Sequence, residues 1–144
     1  MFFPLRDHNP THRAPVVTMT MIAINVVVFA IELSRGAELG LFLARWGATP
    51  YELTRGVDLV GALPGTPLVH TEGPRPLWIT ALTSMFLHGG WLHLIFNMWF
   101  LWIFGNNVED ILGRVRFVGF YLGTGLIGLI VHIALAPSSL LPTV

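Results

Sequence analysis

Hydrophobic residues along this chain gather into three long runs, separated by segments rich in glycine, proline and charge. The runs are 16–33, 91–111 and 117–135, each close to the roughly 20 apolar residues that cross a bilayer as a helix. Pro15 stands at a favourable helix-start position before the first run. Threonines aside, its polar breaks are Asn25 and Glu32. The second run ends at Asn106, Asn107, Glu109, Asp110 and Gly113. Arg114 and Arg116 open the third, and Pro137 follows its end. Such runs predict helices, because lipid offers no partner to an unpaired backbone group.

The segment 34–78 has a different pattern. Seven glycines and five prolines, from Gly36 to Pro76, argue against long regular elements. Leu39, Leu41, Phe42, Leu43, Trp46 and Tyr51 are nevertheless too apolar for a solvated linker. Short amphipathic helices lying in the membrane interface are expected here. Arg35, Arg45, Arg55 and Arg75 sit in this loop, with Glu38, Glu52, Asp58 and Glu72 as counterparts. Arg6 and Arg13 in the tail, and Arg114 and Arg116 between the second and third runs, fall on one side of a three-span layout. The positive-inside rule then puts the N-terminus in the cytoplasm and the long loop outside.

Composition sharpens the class. The 144 residues are 53% hydrophobic and 11% charged, with a mean hydropathy of +0.68. A soluble domain carries about 25% charged residues. Net charge is zero, so nothing points to a nucleic-acid partner. Cysteine is absent, which excludes a disulfide framework or a thiolate metal site within these residues. The first run is followed by Glu32 and Ser34 rather than a small-residue cleavage pattern, so it is expected to remain as a span.

Candidate chemistry concentrates in HGGWLHLIFN, residues 88–97. His93 and Asn97 are four apart, so one helical face presents both. His88 lies five before His93, with Gly89 and Gly90 between, and is expected on the entry turn. The stretch 91–104 carries no charged side chain. Polar groups at membrane depth are functional candidates by default. Two hydrogen-bond donors fixed on a rigid helix, away from water, suit stabilisation of a developing oxyanion. Two other readings stay open. One is a metal site, disfavoured because five-residue spacing rotates the histidines apart on a helix and the zinc-protease pattern is absent. The other is a polar cluster that only holds helices together.

The remaining polar features read as structural. Glu109 and Asp110 are expected to pin the adjacent turn or pair with Arg114 or Arg116 rather than act as acid and base. Gly119 and Gly123 form a small-xxx-small pair, expected to put the third helix inside a bundle. His132 is expected as a neutral imidazole bonded to a neighbour. Ser84, Ser138 and Ser139 lie in neither a Gly-x-Ser-x-Gly nor a Gly-x-Ser-Gly turn, so none is expected as a nucleophile.

The segment TSMFLHGGWLHLIFNM (83–98), continued by GNNVEDILGR (105–114), resembles the rhomboid family of intramembrane serine proteases. The shared pattern is His-x4-His-x3-Asn followed by Gly-x-x-Val-Glu-Asp-x-Leu-Gly-Arg. The resemblance implies a six-helix bundle and a Ser–His dyad, the serine in a Gly-x-Ser-Gly turn opening the fourth span. It also implies that His93 and Asn97 are oxyanion-side donors, that His88 supports the cavity mouth, and that the long loop flanks the substrate entrance. The family's loop Trp-Arg pair falls on Ile79 and Thr80, with Trp78 one residue early, so the arginine is missing. Residues 142–144 close neither a helix nor a domain, and the chain reads as the N-terminal portion of such a protein, ending just before the serine motif.

The expected fold is therefore an all-α membrane protein: three transmembrane helices of a rhomboid-like six-helix bundle, plus a loop with short interfacial helices. A cytoplasmic tail, 1–15, precedes a partial membrane domain, 16–144. The expected setting is multi-pass in a bacterial cytoplasmic membrane. Expected partners are the bilayer, transmembrane substrates or clients, and further helices packing on the Gly119 and Gly123 face. No cofactor and no metal is implied. The expected function is intramembrane serine endopeptidase, inactive without the dyad. The alternatives are a non-catalytic rhomboid-like protein that binds transmembrane clients, and a small membrane assembly subunit.

Overall fold

The computed structural model describes residues 14–144. The expected tail, with Arg6 and Arg13, lies outside the described residues apart from Ala14 and Pro15. Three long helices dominate: α1 (Val16–Ser34), α5 (Trp91–Leu112) and α6 (Arg114–Leu135). Between α1 and α5 come α2 (Leu39–Trp46), α3 (Pro50–Arg55), a small hairpin of β1 (Gly61–Ala62) and β2 (Val69–His70), and α4 (Ile79–Thr83). Two helices, α1 and α6, are each long and apolar enough to cross a membrane. Ile79–Phe86 and Trp91–Leu112 reach that standard together, across an 88° bend. The chain is thus an integral membrane protein with two to three spanning elements. Polar residues spread along α5, from His93 to Asp110, explain why it falls short alone.

α1 packs chiefly along α5, and α6 touches both. The buried positions of α1 are Thr18, Met21, Asn25, Phe29 and Glu32, spaced three or four apart along one stripe. That stripe holds Thr18, Asn25 and Glu32, whereas Val26 and Val27 point outward. Near the start of α1 the helices approach closely at Gly105. A Cβ added there would lie 2.9 Å from Thr18 Cγ2, so α5 carries a glycine at this contact.

The short loop helices have local causes. Pro50 opens α3, and Gly56 ends it in the left-handed region at φ +65°. The β1–β2 hairpin was not anticipated. Its strands are two residues each, paired Gly61 with His70 and Ala62 with Val69, too short for an alternating pattern to register.

Gly119 and Gly123 meet nothing within 4 Å among the described residues, and α6 is mostly exposed. The close approach on α6 occurs instead at Gly125, against the side chain of Met85. Residues 142–144 do close onto the domain. Thr143 and Ala48 exchange backbone hydrogen bonds of 2.9 and 3.2 Å, and the Tyr51 N–H donates to Ser139 O at 3.1 Å. The chain after α6 therefore lies against α3 and the residues preceding it.

Candidate functional site

The site begins with the turn that feeds α5. Gly90, with φ +155°, directs the chain into the helix at Trp91. His88 precedes it and is 4% exposed. Its backbone N–H donates to the Glu32 carboxylate, at 3.2 Å to Oε1 and 3.4 Å to Oε2. Its Nδ1 lies 3.2 Å from Phe86 O. A carbonyl can only accept, so this contact puts the proton on Nδ1 and leaves Nε2 of the neutral ring as an acceptor. Phe29 packs edge-on against His88 and Trp91, at centroid distances of 6.3 and 4.9 Å.

His93 and Asn97 follow on the first turns of α5. The turn folds His88 back, so its ring centroid lies 5.2 Å from that of His93. Five-residue spacing on one continuous helix would not do this. His93 and Asn97 both line a cleft of about 410 Å³ between α1, α5 and α6. Neither side chain makes a hydrogen bond among the described residues. Both are more than a third exposed, so their polar atoms are free to meet a ligand in the cleft.

Further polar groups line the same space: Asn25, Ser84, Tyr121, Thr124 and His132. Asn25 is fully buried. Its Nδ2 donates to Met21 O at 2.8 Å and reaches Tyr121 Oη at 3.4 Å. Its Oδ1 has no hydrogen-bond partner among the described residues. Ser84 Oγ donates to Ala81 O at 3.4 Å. The His132 imidazole, expected to be bonded to a neighbour, makes no side-chain hydrogen bond among the described residues and lines the cleft instead. Among the described residues no group of three or more His, Asp or Glu side chains is placed to hold a metal ion.

Sequence reasoning passed over Glu32 and Asn25 as site residues. The available signal was simply their presence in an otherwise apolar span. Glu109 lies at the opposite end of the helix pair. Its carboxylate accepts from Val17 N at 3.0 Å and from Thr18 N and Oγ1, both at 2.8 Å. Arg114 Nε stands 4.0 Å away. Glu109 thus caps the start of α1, where free N–H groups and the helix dipole favour an anion. It takes no part in the cleft.

Comparison with known proteins places this geometry. A family profile described as the rhomboid domain matches residues 75–144. The rhomboid protease GluP of Bacillus subtilis (strain 168) is 40% identical over 124 residues, covering 85% of this chain and 21% of that protein. The putative rhomboid protease YdcA of the same organism is 40% identical over 51 residues, 35% of this chain and 26% of that one. Rhomboid-like protein 11, chloroplastic, of Arabidopsis thaliana is 41% identical over 51 residues, 35% of this chain and 18% of that one. The chain therefore spans only about a fifth to a quarter of the length of these relatives. No solved structure matches.

Proposed function

We propose that this chain, which belongs to the rhomboid family, supplies the oxyanion side of an intramembrane serine endopeptidase acting on transmembrane substrates. The observation that carries the reading is the pairing of His93 and Asn97, unbonded, on one cleft between helices. In this reading the scissile carbonyl enters the cleft, and both side chains donate to its oxygen as a serine attacks. His88 acts differently. With Nδ1 turned to Phe86 O, its free nitrogen is an acceptor, suited to orienting His93 rather than to holding an oxyanion. The nucleophile and general base are assigned to helices outside these residues, which contain no Gly-x-Ser-Gly turn. Further helices are proposed to cover Gly119 and Gly123, where the surface is open.

A chimera joining residues 1–144 to the serine- and histidine-bearing half of a rhomboid protease tests this. It is expected to cleave a transmembrane substrate. His93→Ala and Asn97→Ala should each lower kcat by about 10²–10³ with unchanged melting. Parental rates in both variants would remove the proposed role.

The alternative, a rhomboid-like binder of transmembrane clients, is favoured by one observation. Thr80, where the family's loop arginine falls, is 2% exposed and bonds its own turn at Leu77 O. A chain that crosslinks a transmembrane client without cutting it, in the chimera as well as alone, would select this reading.

The proposed topology has the tail, 1–15, and the α5–α6 connection in the cytoplasm of a bacterial cell, and the loop, 34–78, outside. Exposed Arg114 and Arg116 support it. The chain has no cysteine, so Val57→Cys and Val115→Cys each give a unique thiol. An impermeant maleimide should label the first from outside and the second only after lysis.

A further inference from the structure

Three arginines of the loop share an arrangement. Arg35 Cζ stands 5.0 Å from the Phe42 ring centroid, Arg45 Cζ 5.6 Å from Trp46, and Arg55 Cζ 6.0 Å from Tyr51. All three arginines are exposed, and none pairs with a carboxylate among the described residues. Two of the loop's acids are engaged elsewhere: Glu52 turns inward to Leu59 N at 3.0 Å, and Asp58 accepts from Gly73 N at 3.0 Å. Phe42, Arg45 and Trp46 lie within one turn of α2, and Arg35 reaches back to Phe42. Two ring-backed guanidiniums therefore share one side of α2, and α3 adds a third. A guanidinium lying on a ring keeps its planar fork of N–H donors free, and that fork matches a phosphate.

We propose that this face of the loop docks the phosphodiester headgroups of anionic phospholipids. The chain is an integral membrane protein, so the interface beside an amphipathic helix is lined with such groups. Aromatic rings anchor at headgroup depth, and guanidinium forks that make no ion pair among the described residues select the anionic lipids. The inference does not depend on the protease reading.

The test uses the chain in nanodiscs of phosphatidylcholine with a minor fraction of phosphatidylglycerol, and native mass spectrometry of the lipids retained. Phosphatidylglycerol should be enriched over its bulk share. Arg35→Gln with Arg45→Gln should reduce the enrichment by about fivefold per arginine, from the usual strength of one basic residue at an anionic surface. Arg35→Lys with Arg45→Lys should give an intermediate value, since charge remains and the fork is lost. Arg116→Gln, at the other end of the molecule and with no ring contact among the described residues, should reduce it less. The lysine pair keeps the test decisive if the glutamine pair fails to fold. Enrichment unchanged in both double variants, or lost equally in Arg116→Gln, would overturn the proposal. Displacement of the lipid by inorganic phosphate would overturn the lipid assignment in favour of a general anion site.

Discussion

Each end of the α1–α5 pair is closed by a buried glutamate, and the two closures are unequal. At the start of α1, Glu109 gathers two backbone N–H groups and the Thr18 hydroxyl at 2.8–3.0 Å, with Arg114 beyond. At the end of α1, Glu32 is just as buried, at 1% exposed, yet among the described residues its carboxylate receives only the N–H of His88, shared between its oxygens at 3.2 and 3.4 Å. A buried charge is tolerable when its lone pairs are filled. By that measure Glu109 is an anchor and Glu32 a light tether. The tethered end is the one that carries His88, His93 and the cleft. The helix pair is thus fastened more firmly at the end away from the cleft, and more lightly beside the proposed site.

The largest effect is expected at the anchor. Glu109→Ala leaves the N–H groups of Val17 and Thr18 without partners and should cost roughly 2–3 kcal/mol of stability. Unfolding in mixed micelles would measure it. An unchanged stability would make the two ends equivalent. At the tether, Glu32→Ala should cost less, about 1–2 kcal/mol, since one N–H is orphaned. It should also lower kcat of the chimera beyond the loss of folded protein, because the His88 turn drifts. Glu32→Gln, whose oxygen still accepts, should restore most of it. Failure of that rescue would make the tether a matter of charge rather than position.

A third substitution probes the packing that the anchor secures. Gly105→Ala puts a methyl 2.9 Å from Thr18 Cγ2 and should cost about 1 kcal/mol or slightly more. The same change at Gly119, which meets nothing within 4 Å among the described residues, should be neutral or better in this chain alone. The smallest effect lies in the loop. Burial holds the Glu52 carboxyl above its ordinary value of 4.5, against the opposing pull of the Leu59 N–H. The folded loop binds that proton more tightly than the unfolded chain does. Its contribution is therefore most favourable below pH 4.5 and declines as pH rises through the raised folded value. Glu52→Gln should flatten the decline in a pH series of loop proteolysis. A decline of unchanged size would assign it to another group.

The anchor and the tether differ also in how far the sequence revealed them. α1, α5 and α6 follow from apolar runs whose meaning is set by lipid, and the His93–Asn97 face follows from helical period alone. Glu109 sits among charges at a helix end, where a structural pairing is legible, but the Val17 and Thr18 N–H groups it caps lie 92 and 91 residues away and are not. Glu32 is not legible even as a structural group. Its partner is a backbone N–H 56 residues on, and no local pattern encodes such a pairing. The approach of the His88 and His93 rings depends on the turn at Gly89 and Gly90, which breaks the helical period by which spacing is judged. The hairpin and the Thr143–Ala48 bridge rest on long-range backbone bonds that side-chain pattern does not record. Gly119 and Gly123 carried the stronger motif, but Gly125 made the contact, because Met85 comes from an element whose placement is tertiary.

The central claim is that His93 and Asn97 converge on one reacting oxygen. A structure of the chimera trapped with a phosphonate that bonds its serine would test it most directly. The account predicts the phosphoryl oxygen within about 2.7–3.1 Å of a ring nitrogen of His93 and of Asn97 Nδ2. An oxygen held by other donors, with both side chains turned toward lipid, would contradict it.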